Sequence, residues 1–74
     1  MNRKEIGHRL VEARGEMSQA EAAGKIGITR SSLAMYELGQ RIPKDDIKIL
    51  ISVAYEIPIQ ELFFKGQGHA RGPA

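Results

Sequence analysis

Seventy-four residues, 42% of them apolar, suffice for one small domain with a modest core, and the absence of cysteine excludes disulfides and thiolate metal sites. Eleven Lys and Arg against nine Asp and Glu leave a net charge of +2 and a pI near 9.2, too mild an excess to point to nucleic acid unless the placement of the charges does so. The basic N-terminus MNRKEIGHRL has no apolar run behind it, and the longest apolar stretch, Ile49 to Tyr55, is too short and interrupted to span a bilayer, so the expectation is a soluble, cytoplasmic protein with no membrane partner.

In chain order, Ile6, Leu10 and Ala13 recur at helical spacing and predict a first helix from about Asn2 to Arg14, closed by Gly15. The link Gly15-Glu16-Met17 leads to Ser18, which with Glu21 forms an S-x-x-E capping box and starts a second helix. Ala22, Ala23 and Ile26 supply its inward face, and the small alanines allow a neighbour to approach closely. Gly27 stands where a chain leaving a helix takes a left-handed conformation, which glycine adopts without steric cost. Ile28 plugs the corner, and Thr29 is an N-cap for a third helix from about Arg30. On that helix Leu33 and Tyr36 face one side, while Arg30, Ser31, Ala34, Met35 and Leu38 spread over the other. The outward face is small, flexible and lightly charged, the kind of surface that enters a groove. Gly39 ends the helix.

A fourth helix is expected from near Lys44, with Asp45 and Asp46 in the first turn, where the helix dipole favours negative charge. Ile47, Leu50, Ile51 and Ala54 form its apolar stripe, and Ile49, Val53 and Tyr55 widen that stripe beyond what one small core requires. Pro58 opens a short fifth helix ending in Leu62-Phe63-Phe64. From Lys65 the sequence KGQGHARGPA has no apolar periodicity and is rich in glycine, so residues 1–64 are read as the domain and 65–74 as a disordered tail.

Catalytic and metal-binding constellations are not legible. His8 and His69 are the two histidines, without Cys, Asp or Glu at ligand spacing, and Ser31 and Ser32 have no base near them in sequence. The expectation is a protein that is not an enzyme and takes no cofactor, metal or evident small-molecule ligand.

From Ser18 to Pro43 the chain reads S-Q-x-E-x-A-x-x-x-G-I-T-R-S-S-L-x-x-Y-E-x-G-x-R-x-P. This string resembles the helix-turn-helix of lambda-repressor and Cro-type (XRE-like) transcription regulators, with Gln19, Ala23, Gly27, Leu33 and Tyr36 at the family's offsets. The resemblance extends from Ile6 to Phe63. It implies an all-α fold, a compact bundle of about five short helices around a central helix-turn-helix whose second helix enters the major groove of double-stranded DNA while the first crosses the backbone. By position in the family, Gln19, Ser32, Arg41 and Lys44 would bind phosphates, and Arg30, Ser31, Ala34 and Met35 would read bases. Arg14 and Glu37 would pair and fix the recognition helix. Two features depart from the family: the Gly15 to Met17 link is shorter than usual, and Leu38 stands where many members carry a polar residue.

The surplus apolar surface of Ile49, Val53, Phe63 and Phe64 predicts a homodimer through the fourth and fifth helices. The function expected is a repressor on a palindromic operator; the alternative is a protein-interaction module of the same fold, such as the antitoxin of a toxin-antitoxin pair.

Overall fold

The computed structural model describes residues 2–64, and the expected tail lies outside them. Four α-helices and a closing π-helical turn follow one another: α1 (Arg3–Arg14), α2 (Gln19–Ile26), α3 (Arg30–Glu37), α4 (Asp45–Tyr55) and the turn Gln60–Phe64. The fold is all-α, as the sequence implies.

Local signals fix where the first three helices start. The Asn2 side chain accepts from the Glu5 amide while the Glu5 carboxylate accepts from the Asn2 amide, and Ser18 and Glu21 repeat this reciprocal arrangement at α2. Thr29 caps α3 by accepting from the Ser32 amide. Between α2 and α3, Gly27 takes the left-handed conformation at φ 95°, and the amides of Gly27 and Ile28 both donate to the Ala23 carbonyl. That double closure turns the chain sharply enough for α3 to lie across α2.

The core joins Ile6 and Leu10 of α1, Ala22, Ala23 and Ile26 of α2, Leu33 and Tyr36 of α3, Ile51 and Tyr55 of α4, and Leu62 and Phe63 of the closing turn. Burial of these side chains removes roughly 1.5–3 kcal/mol each of unfavourable hydration for the large ones, and this is what holds short helices that would not persist alone. The small residues work differently. Ala22 and Ala23 are fully covered and admit a neighbouring helix.

Three expectations from the apolar pattern are corrected. Phe63, expected at a dimer interface, is only 2% exposed and belongs to the core, because the π-helical turn swings Leu62 and Phe63 inward together. Leu50, expected on the inward stripe of α4, is exposed, whereas Tyr55, assigned to the outer surplus, is buried. The reason is rotational: α4 faces the core along Ile47, Ile51, Ala54 and Tyr55, so Leu50 falls beside Ile49 and Val53 on the opposite side. The fifth helix is a five-residue π turn. Its first bonds run from the amides of Glu61 and Leu62 to the Pro58 carbonyl.

Candidate nucleic-acid interface

Glu37, the last residue of α3, organises the site although it faces inward. Its carboxylate accepts from Arg14 through both oxygens, Nε to Oε2 at 2.7 Å and Nη2 to Oε1 at 3.1 Å, and from the Gln19 side-chain amide at 2.8 Å. Glu37 is buried and Arg14 largely so. A carboxylate removed from water is costly unless charge and hydrogen bonds compensate it, and here a bidentate guanidinium and an amide do both. The hydrogen bond that Arg14 donates to Glu37 raises the Arg14 pKa above its ordinary value, against the opposing effect of desolvation. Arg14 also donates through Nη1 to the Met17 carbonyl at 2.8 Å, which closes the short link between α1 and α2. One carboxylate thereby ties the end of α1, the start of α2 and the end of α3.

The backbone reinforces this junction. Gly7 of α1 packs on the last turn of α3, where an added Cβ would collide with the Glu37 carbonyl oxygen. Helical periodicity alone gives Gly7 no role. Its signal was present: an isolated glycine inside a helical pattern costs about 1 kcal/mol relative to alanine and calls for a packing reason.

The outward face of α3 carries the residues expected to read bases. Arg30 and Ser31 are exposed, Ala34 and Met35 are half-buried, and Leu33 and Tyr36 lie in the core opposite them. Leu38 continues this face and is 65% exposed. Among the residues expected on phosphates, Arg41 and Lys44 are exposed on the segment joining α3 to α4. Ser32 is half-buried, and its hydroxyl accepts from Thr29 Oγ1 at 3.0 Å. Gln19 departs from the simplest expectation. One hydrogen of its amide is committed to Glu37, which leaves the second for an outside acceptor. Since Glu37 is the only acidic residue of α3 and is neutralised inside, the exposed face of this helix presents Arg30 as its one formal charge.

A family model described as helix-turn-helix, the Cro/C1-type and XRE-like form, matches residues 9–62. The chain belongs to the helix-turn-helix family. This match spans α2, α3 and the turn between them, so the helix-turn-helix protein is a DNA-binding regulator of the Cro type and α3 occupies the place of the recognition helix. No curated protein and no solved structure matches the chain significantly. No helix of the described residues is long and apolar enough to cross a membrane.

Proposed function

We propose that the protein is a sequence-specific repressor that binds a palindromic operator as a homodimer, with α3 of each subunit in the major groove. The observation that carries this reading is the outward face of α3, where Arg30 and Ser31 project from a helix whose single carboxylate is turned inward and paired with Arg14. A groove lined by phosphates repels uncompensated acid, and a face bearing one guanidinium among small side chains enters it at low electrostatic cost. Arg30, Ser31, Ala34 and Met35 read bases; Gln19, through its second amide hydrogen, joins Ser32, Arg41 and Lys44 in holding phosphates. A domain that occupies the groove acts most simply by excluding other proteins from the site.

The dimer is supported by the apolar side of α4 that the core leaves uncovered, Ile49 at 56% and Val53 at 69% exposure with Leu50 beside them, and by Phe64, whose ring centroid lies 5.2 Å from the Nζ of Lys48 on the same helix. Two-fold symmetry would set the paired recognition helices roughly 34 Å apart, one turn of DNA. Selection of bound duplexes from a random pool tests the reading. The expected outcome is enrichment of a palindrome with half-sites about one turn apart. Recovery of no preferred sequence, with sedimentation showing a monomer at micromolar concentration, would instead favour the protein-interaction module, for which the same α4 face would receive a foreign chain.

A further inference from the structure

We propose that Arg3 and Lys4, in the first turn of α1, form a second phosphate-binding element that meets the same stretch of DNA backbone as Arg41. The inference rests on the DNA-binding reading above and adds residues that the helix-turn-helix itself does not contain. Its basis is the packing of Gly39. This residue follows α3 with φ +77°, and a Cβ built on it would lie 3.2 Å from the Lys4 Cα and 3.3 Å from both the Arg3 carbonyl oxygen and the Lys4 Cγ. The start of α1 therefore rests directly on the turn that leaves the recognition helix, two residues before Arg41.

Charge accounting around this contact leaves a positive surplus. Arg3, Lys4, Arg41 and Lys44 are all exposed, and none belongs to an ion pair among the described residues. Of the carboxylates near them in sequence, Glu37 is held by Arg14 and Asp45 faces Lys48 at 3.8 Å. Glu5 and Asp46 keep their charge but turn an oxygen to a backbone amide, of Asn2 and Ile47, and neither pairs with Arg3, Lys4, Arg41 or Lys44 among the described residues. A strip of cations thus continues from the end of α3 onto α1. The backbones that carry it are fixed against each other, so binding a phosphate orders only the side-chain ends, and each contact releases counterions regardless of sequence. Nothing in the core requires positive charge at positions 3 and 4, because both side chains lie outside it.

The test compares three proteins on the selected operator across a range of salt: the wild type, Arg3→Ala with Lys4→Ala, and Arg9→Ala. Arg9 is a cation of the same helix, placed further along beside Glu12, Ile57 and Glu61. The double variant should bind the operator and its single-base variants more weakly by one common factor, and its plot of log affinity against log salt should flatten by about 0.9 per lost phosphate contact, close to two per subunit. Arg9→Ala should leave the slope in place, and Arg3→Lys with Lys4→Arg should restore it. Thermal melting should not separate any of these from the wild type. A double variant with the wild-type slope, or a loss matched by Arg9→Ala, overturns the inference while wild-type binding keeps the DNA reading intact. A wild-type protein that selects no duplex removes that reading and this inference with it.

Discussion

A methyl group at position 7 has no room. An added Cβ would collide with the Glu37 carbonyl oxygen and lie 2.9 Å from its carbon, so α1 and α3 would have to separate. Gly7→Ala is therefore expected to destabilise the fold by about 1–3 kcal/mol, the usual cost of overpacking, even though alanine is the better helix former. A thermal melt several degrees below wild type would agree, and an unchanged or raised melt would show that the helices yield freely. Tyr55 illustrates a different residue-scale effect. Its hydroxyl is buried with no hydrogen-bond partner among the described residues, and burial, reinforced by the Glu37 charge, pushes its pKa up to about 12 from the ordinary 10.0. Since the folded state holds this proton more tightly than the unfolded chain, the stability it contributes is complete below pH 10 and is lost as pH rises toward 12. Tyr55→Phe should flatten that alkaline limb and leave neutral-pH stability equal or higher, because an unpaired buried hydroxyl is removed. Denaturant midpoints measured from pH 7 to 12 check both parts; a marked loss at neutral pH would mean that the hydroxyl has a partner.

Among the elements, α4 begins without the device that starts the other three α-helices. Lys44 occupies its N-cap with extended backbone at φ −72° and ψ 166° and makes no side-chain cap bond. Lysine is a poor choice there on local grounds, and the proposed phosphate contact supplies a reason for it. Lys44→Ser should therefore stabilise the protein by about 0.5–2 kcal/mol through capping while weakening DNA binding equally on all operator sequences. A stabilised variant with undiminished affinity would take Lys44 out of the interface. The helix starts at Ser18 and Thr29 and the turn at Gly27 were legible because capping and left-handed backbone depend on residues a few positions apart. The orientation of α4 was not. Its apolar residues cover too much of the circumference for periodicity to choose a face, and only packing against α2 and the rest of the core decides that Tyr55 goes in and Leu50 out. Phe63 was misplaced for a related reason, since a π turn shifts side chains off the α-helical register that sequence spacing assumes. In the site, Arg14 and Glu37 could be matched to the family by position, but the Gln19 bond to Glu37 spans 18 residues and carries no local signature.

For the whole molecule, the uncovered α4 face is the surface proposed to carry the dimer. Val53→Asp places a charge at the centre of Ile49, Leu50 and Val53, where association would have to desolvate it, and is expected to yield a folded monomer. Because Val53 lies outside the core, the far-ultraviolet dichroism and melt should stay near wild type. Operator affinity should fall steeply, since a monomer loses the linkage between two half-sites. Sedimentation of wild type and variant at micromolar concentration distinguishes the cases. A variant that remains dimeric would move the interface elsewhere, with Leu38 and Ile42 the remaining exposed apolar pair beside α3.

If α3 reads sequence as proposed, Arg30 is the residue on which that reading turns. A guanidinium in the first turn of the recognition helix can donate two bonds to O6 and N7 of guanine, whereas a phosphate contact from the same position would be blind to sequence. Affinities of wild type and Arg30→Ala are to be measured on the selected operator and on every single-base variant of one half-site. Base reading by Arg30 predicts a loss of about 1–3 kcal/mol on the operator and a relaxed preference at one G·C pair, with the ranking elsewhere unchanged. An equal loss on every variant, with the full base ranking preserved, would contradict it.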